Sequence, residues 1–180
     1  MKRRALLGGL AAAALPGGLA ACGFRPVYMS SAGGAPGPAE RNLAAIDVAL
    51  IPDRTGQLLR QALQQRLHGT GAAPPRYVLH VTYWIAGQGI GILQSTTATR
   101  LRLTASATWV LTANDPAATR VATGYARATD AVNIFDEQYF AADLETNTAN
   151  RYLAGAIADQ IALRLAVFFR ERAAHRIAAG

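Results

Sequence analysis

The stretch Thr97–Thr112, TATRLRLTASATWVLT, decides the fold, because apolar and polar side chains alternate along it. A period of two is typical of a β-strand that buries one face and leaves the other in water. The apolar face carries Leu101, Leu103, Ala105, Ala107, Trp109 and Leu111, and the polar face carries Arg100, Arg102, Thr104, Ser106 and Thr108. The rest of the chain must therefore supply an apolar layer that covers the first face.

Strands are also predicted on both sides of this stretch. Tyr77–Ile85, YVLHVTYWI, precedes it, and a run of glycines from Gly87 to Gly91 indicates a bulge or turn between the two. Arg120–Val132 follows a turn at Asn114-Asp115-Pro116. This last strand has a face of small residues, which we expect to point inward because it would let a helix approach closely; these residues are Ala122, Gly124, Ala126 and Ala128.

Two amphipathic helices and one more strand complete the pattern. Ala44–Ile51 is a short apolar run ended by Pro52, which predicts a strand. Asp53–Leu67 has leucines at every fourth position, and either Asp53 or Thr55 can cap it. Residues 141–174 predict one long helix, with an apolar stripe of Leu153, Ile157, Ile161, Leu165 and Phe168.

The order strand, helix, strand, strand, strand, helix predicts an α+β fold over residues 44–180. Two helical stripes must cover one apolar sheet face, so we expect a two-layer sandwich of a four-stranded mixed sheet with both helices on one face. The opening strand–helix–strand unit favours a right-handed parallel crossover, and the last three strands an antiparallel meander.

The N-terminus predicts export and lipidation. Residues 1–21 have a basic start and an apolar stretch, typical of a secretory signal peptide, with Sec and twin-arginine export both open. Leu19-Ala20-Ala21-Cys22 resembles the bacterial lipobox, which implies that Cys22 is lipidated; the alternative is an ordinary signal beside a stray cysteine. The residue after Cys22 is Gly23, which resembles the pattern of lipoproteins that are sorted to the outer membrane. Residues 22–43 are predicted to form a lipidated Cys followed by a flexible tether.

Composition excludes several classes of protein. The chain has 180 residues, of which 51% are hydrophobic and 16% charged, so it is not disordered throughout. Its single Cys excludes an intramolecular disulfide and a multi-Cys zinc site. Removing the signal lowers the net charge from +7 to +4, with 15 Arg against 11 acidic residues, which does not indicate a nucleic-acid partner.

No catalytic, metal or cofactor site is predicted. The Gly87–Gly91 run is followed by neither a helix nor a phosphate-binding Lys, and Asp136-Glu137 is better explained as a loop or helix entry than as an acid–base pair. The remaining candidate is the uncovered sheet face, with His80, Trp84, Arg100, Arg102, Tyr125 and Arg127. Arginines there suit phosphates and carboxylates, so Arg100, Arg102 and Arg127 are the candidate binding residues; the alternative is an ordinary solvated face.

Several of these segments together resemble the LPS-assembly lipoprotein family, LptE, also called rare lipoprotein B. They span nearly the whole mature chain in order and comprise Leu19–Tyr28, Arg54–Arg60, Tyr77–Leu79, Asn150–Ala154, Ile157–Ile161 and Arg164-Leu165. The resemblance implies an outer-membrane lipoprotein, anchored on the periplasmic side, that plugs the LptD β-barrel and assists its assembly. It also implies contact with lipopolysaccharide, for which Arg100, Arg102 and Arg127 are our candidates.

Two other functions remain as alternatives at this point. An accessory lipoprotein of an ABC-type lipid transporter would also be a small lipidated α+β module, but would be found with an inner-membrane permease. A lipid-anchored hydrolase is disfavoured because the sequence offers no nucleophile–base pair.

Overall fold

The computed structural model describes residues 37–67, 73–92, 98–133 and 139–179, and it confirms the α+β prediction. Seven elements follow one another along the chain: α1 (Pro38–Leu43), β1 (Ile46–Val48), α2 (Asp53–Leu67), β2 (Tyr77–Ile92), β3 (Ala98–Ala113), β4 (Arg120–Asn133) and α3 (Tyr139–Ala178). The predicted signal peptide, Cys22 and most of the predicted tether lie outside the described residues.

The four strands form one mixed sheet in the order β1-β2-β3-β4. β1 runs parallel to β2, with Ile46 opposite Tyr77, and the later pairs are antiparallel, with Thr82 opposite Thr108 and Thr108 opposite Tyr125. The parallel opening and the antiparallel meander are therefore confirmed. The Gly87–Gly91 run lies within β2, and the register shifts between Gly89 and Gly91 as a bulge would require.

The core lies between the helices and the face of β2–β4 that carries the apolar residues of the alternation. Leu79, Leu111 and Ala107 are buried on the sheet side, and the leucine stripe of α2 is buried on the helix side. The large buried side chains of α3 include Leu153, Ile157, Ile161 and Leu165, as predicted, but the stripe continues with Phe169 and not with the predicted Phe168, which is only half-buried. Each such side chain contributes about 1.5–3 kcal/mol on burial, which holds both helices to one face of the sheet.

The small residues of β4 face inward as predicted. Ala126 is buried, and Gly124 lies under the indole ring of Trp109 on β3. A Cβ at Gly124 would lie 2.4 Å from Cζ2 of Trp109, so only glycine leaves room for the ring. The strand therefore accommodates a large neighbouring side chain as well as α3.

Polar side chains of α3 fix its position relative to α2 and β4. The Arg66 guanidinium of α2 donates to the carboxylate of Asp159 through Nε and Nη2. Gln160 accepts from the Arg127 N–H at 3.3 Å and donates to the Arg127 carbonyl at 2.9 Å, while Arg164 donates to the Tyr125 carbonyl. These bonds satisfy backbone groups on the free edge of β4, which would otherwise offer a template for another strand.

α3 is the one described helix that is long and apolar enough to cross a membrane. Its window within Asp143–Ala178 has a mean hydropathy of 1.4, and 50% of that window is buried inside the domain. Because its apolar stripe packs on the sheet, α3 is explained as the core helix of the domain.

The predicted tether was too long at its C-terminal end. Its last six residues, Pro38–Leu43, form α1, in which Ala39 and Leu43 are buried. Asn42 anchors this helix, because its amide donates to the Pro38 carbonyl at 2.7 Å and its Oδ1 accepts from Arg76 at 2.9 Å. The folded domain thus includes a third helix before the first strand.

Other predicted boundaries shift by a few residues. The first strand was predicted over 44–51 but covers only Ile46–Val48, because Ala44 caps α1 and Leu50 is 74% exposed. α2 has the predicted bounds, and α3 extends the predicted 141–174 at both ends.

Candidate functional site: the open face of the sheet

The face of β2–β4 opposite the helices carries the candidate site, and we call it the open face. It is formed by alternate residues of the three strands: His80, Thr82 and Trp84; Arg100, Arg102, Thr104, Ser106 and Thr108; and Thr123, Tyr125, Arg127 and Thr129. No helix covers it within the described parts of the chain, because α2 and α3 both pack on the opposite face. The alternation predicted this division of the side chains.

Strand register arranges the open face in rows. Ser106 is opposite Trp84 on β2 and Arg127 on β4, so these three residues form one row across the sheet. Neighbouring strands are about 4.8 Å apart, which places the Cα atoms of Trp84 and Arg127 about 10 Å apart. An aromatic ring that is 45% exposed and a guanidinium thus flank a serine that is 6% exposed.

Tyr125 closes over the centre of this row. Its hydroxyl donates to Oγ of Ser106 at 3.1 Å, while its side chain remains 42% exposed. The Ser106 hydroxyl is therefore held by a neighbour and covered, whereas the rings of Tyr125 and Trp84 remain partly accessible. The sequence placed Ser106 and Tyr125 on this face, but their hydrogen bond depends on a register that alternation does not encode.

The three candidate arginines are all exposed on the open face, but they do not form one cluster. Arg100 and Arg102 are two residues apart on one face of β3, which separates their Cα atoms by about 7 Å. Arg127 is opposite Ser106, four residues further along β3 than Arg102, so it lies about 13 Å away along the strand direction. The structure therefore brings Arg100 and Arg102 together and places Arg127 with the aromatic pair.

The residues paired with Arg100 and Arg102 on the neighbouring strands are uncharged. Arg102 is opposite Gln88 on β2 and Ala131 on β4, and Arg100 is opposite Gly91 and Asn133. Two guanidinium groups with no carboxylate directly across the sheet keep their positive charge available to an anion. Paired N–H donors of this type bind phosphate and carboxylate oxygens in bidentate geometry.

The pKa shifts that have a clear cause lie on the helix side of the sheet. Burial raises the pKa of Tyr83 to about 12, and its hydroxyl has no hydrogen-bond partner among the described residues. The hydrogen bond to Asp159 raises the pKa of Arg66. Neither group reaches the open face, so both are features of packing.

The described residues contain no group of three His, Cys, Asp or Glu side chains close enough to hold a metal ion. The glycine run forms part of an extended strand and does not cradle a phosphate. His80 is exposed on the open face, whereas Asp136-Glu137 and Cys22 lie outside the described residues.

Solved structures with similar folds come from several bacteria. A Caulobacter crescentus protein named as a lipoprotein shares 24% identity with the chain, with 73% of this chain and 96% of that one covered and a TM-score of 0.60. A minor lipoprotein from Acinetobacter baumannii shares 16% identity, covers 69% and 92%, and has a TM-score of 0.51. Lipoprotein B from Nitrosomonas europaea shares 12% identity, covers 68% and 81%, and has a TM-score of 0.50. At these identities the likeness concerns the fold.

Among curated proteins, none matches the chain significantly. The sequence model of the family described as LptE, lipopolysaccharide-assembly, matches residues 43–165, which is more than half of the chain. This match runs from the end of α1 into the second half of α3 and includes every strand of the sheet. The chain therefore belongs to the LptE lipopolysaccharide-assembly family of lipoproteins.

Proposed function

We propose that the mature chain is held in the outer membrane by an acylated Cys22, on the periplasmic side, where its domain plugs an LptD-like β-barrel. In this role it assists assembly of the barrel and takes part in lipopolysaccharide transport to the cell surface without performing a reaction. Membership of the LptE family supports a role in lipopolysaccharide assembly. The observation that carries the proposal is a polar sheet face that no described helix covers, on a domain whose apolar core lies on the other side.

A plug must be rigid and must present polar groups to its surroundings, because the lumen of a large membrane barrel is polar. The core residues of β2–β4, α2 and α3 form one continuous cluster, which gives the rigidity. Threonine, serine and arginine side chains dominate the open face, which gives the polar surface.

The same face offers groups that suit a phosphorylated glycolipid. Arg100 and Arg102 provide adjacent guanidinium donors for phosphate oxygens. Trp84 and Tyr125 provide partly exposed rings beside Arg127. We therefore assign direct lipopolysaccharide contact to the open face, with Arg100 and Arg102 as its anionic subsite and Arg127 as a separate contact.

The partner is tested by purifying the native acylated protein from membranes in mild detergent. We expect a large outer-membrane barrel to co-purify, and mass spectrometry to show acyl chains on a mature N-terminus at Cys22. Recovery with an inner-membrane permease would instead support a transporter accessory protein. A chain that is unmodified at Cys22 and found in soluble fractions would exclude the anchored plug.

Lipopolysaccharide contact is tested with the double variant Arg100→Ser and Arg102→Ser. Hydrogen bonds to charged groups contribute about 1.5–3 kcal/mol each, so we expect binding to weaken about tenfold or more. Arg54 and Arg151 are exposed on the helices, and replacing both by Ser is the matched control because it removes the same charge. Equal losses in the two double variants would show a general charge effect and would refute the assigned subsite.

A further inference from the structure

α3 continues beyond the end of the sheet. The ring of Phe169 packs on the ring of Tyr77, the first residue of β2, with centroids 5.2 Å apart. The helix runs on to Ala178, nine residues further, and at 1.5 Å per residue this extension is about 13 Å long. Every residue of it except Ala173, which is half-buried, is exposed.

The buried stripe of α3 becomes basic where the helix leaves the sheet. Leu165 and Phe169 are buried on the sheet side. Arg172 follows Phe169 by three residues and Arg176 follows Arg172 by four, so both continue the same helix face. The overhanging segment therefore turns guanidinium groups toward the space beyond the sheet end.

This space is a cleft of about 530 Å³ between the α3 overhang and the loops at the sheet end. Its lining includes Arg76, Arg172, Asn114, Asp115 and Thr119. The Arg76 guanidinium donates to Asn42 of α1, and its carbon lies 5.9 Å from the centroid of the Tyr77 ring. The guanidinium carbon of Arg172 lies 6.0 Å from the centroid of the Phe168 ring. Neither arginine forms a salt bridge within the described residues.

One acidic side chain lines the cleft, and it is already engaged. Asp115 Oδ1 accepts the Thr119 N–H at 3.4 Å, as an acidic residue does in a turn. Among the described residues, the lining of the cleft therefore carries two cations and one anion. Guanidinium groups positioned by rings and by an amide are suited to a phosphate group.

The chain leading to Cys22 enters the domain at this same end. Asn42, which bonds Arg76, belongs to α1, and α1 begins one residue after Gly37. Gly37 is the fifteenth residue after Cys22, which allows a span of at most about 50 Å even when the chain is fully extended. Arg100 and Arg102 lie near the other end of the sheet, roughly 40 Å away along β2. The predicted tether therefore joins the domain beside the cleft, at α1, and not beside Arg100 and Arg102.

We propose that this cleft binds the phosphate of an anionic phospholipid headgroup in the membrane that holds Cys22. The inference rests on the proposed acyl anchor. The headgroup contact would orient the domain with the α3 overhang toward the membrane surface and the open-face arginines away from it. Arg76 and Arg172 are the phosphate ligands.

The test uses the full acylated chain in nanodiscs of phosphatidylcholine alone or with phosphatidylglycerol. Cys22 is the only Cys, so Ala174→Cys gives one labelling site on the exposed α3 extension once Cys22 is acylated. A spin label there should lose accessibility to a water-soluble relaxant in anionic discs and keep it in neutral discs. Two arginines near an anionic surface contribute about 1 kcal/mol each, so Arg76→Gln with Arg172→Gln should lower the docked-to-undocked ratio about 30-fold.

The control double variant, Arg54→Gln with Arg151→Gln, should leave that ratio unchanged, because both residues are exposed and lie away from the cleft. Equal accessibility in the two kinds of disc, or an equal effect of the two double variants, would overturn the proposal. Displacement by millimolar glycerol phosphate would show a site for soluble phosphates and would also overturn the proposal. The same holds if replacing Arg76 and Arg172 changes only the recovery of the barrel. A failed anchor is distinguishable, because the protein would then elute apart from both kinds of disc.

Discussion

Replacing Gly124 by alanine tests the packing of the inner sheet face most directly. An added Cβ would lie 2.4 Å from Cζ2, 2.6 Å from Cε2 and 2.9 Å from Nε1 of Trp109. These distances are far below the carbon–carbon optimum of about 3.5–4.0 Å, and the neighbour is a rigid ring in a core whose Trp109 is only 4% exposed. Nε1 of Trp109 has no hydrogen-bond partner among the described residues, so shape alone holds the ring.

Overpacking of this type costs about 1–3 kcal/mol, and we expect Gly124→Ala to lower the free energy of unfolding by that amount. For a domain of this size the melting temperature should fall by roughly 3–10 °C. Urea denaturation gives the free energy. Trp109 fluorescence, isolated by Trp84→Phe, should show the displaced ring, because Trp84 is the exposed tryptophan and Trp109 the buried one.

Two controls separate the clash from a general effect of the substitution. Gly155 lies in α3, and a Cβ there would meet only Nη2 of Arg66 at 3.5 Å, so Gly155→Ala should stabilise by about 0.5–1 kcal/mol. In a Trp109→Phe background the cost of Gly124→Ala should fall by at least about 1 kcal/mol. A Gly124→Ala protein as stable as the parent, or additive effects in the double variant, would refute the packing argument.

Three other perturbations give distinct outcomes. Tyr83 has its pKa raised to about 12 by burial, so one tyrosine should titrate last in absorbance at 295 nm. The stability that Tyr83 contributes is present below its unfolded pKa of about 10 and is lost as the pH rises toward 12. Gln160→Ala should cost about 1 kcal/mol by freeing the Arg127 backbone, and should produce concentration-dependent association by light scattering because the β4 edge is uncovered. Leu165→Ala should cost about 2–5 kcal/mol in urea denaturation, since that side chain is fully buried, and a smaller loss would show that the core relaxes around the cavity.

Alternation in β2 and β3 was sufficient to predict the layers of this fold. A strand with period two must direct one set of side chains to the core, and the helices had matching apolar stripes, so the assignment of faces followed from geometry. The small face of β4 was predicted to point inward because it would let a helix approach closely. Its partner was not, because the contact of Gly124 with the Trp109 ring depends on strand register.

α1 was missed because its neighbourhood is rich in Gly, Ala and Pro, a composition typical of tethers. A local signal was present: Pro38 stands at the first helical position and Glu40 at the third, where its carboxylate accepts the Gly37 N–H at 3.4 Å. A six-residue helix is unstable alone, and burial of Ala39 and Leu43 stabilises it. Such tertiary stabilisation cannot be read from a local pattern.

The separation of Arg127 from Arg100 and Arg102 has a similar cause. Sequence spacing fixes neighbours on one strand, whereas neighbours on different strands depend on the turn that joins them. The turn after Ala113 sets Thr112 opposite Arg120, and a one-residue register shift between Leu111 and Thr112 then places Arg127 opposite Ser106. The exposure of all three arginines was predictable from alternation, but their grouping was not.

The division of the sheet into a packed face and an open face makes the candidate site separable from the fold. Side chains that hold the structure, such as Leu111 and Ile161, are buried on one side, whereas Arg100 and Arg102 contribute no described contact to that core. Replacing surface arginines should therefore change binding with little change in stability. Ser106 is the exception, because it is buried on the open face and hydrogen-bonded to Tyr125. Replacing Ser106 would change both the packing of the sheet and the binding surface, so a binding defect there would not have a single cause. At Arg100 and Arg102 a binding defect can be attributed to the open face itself.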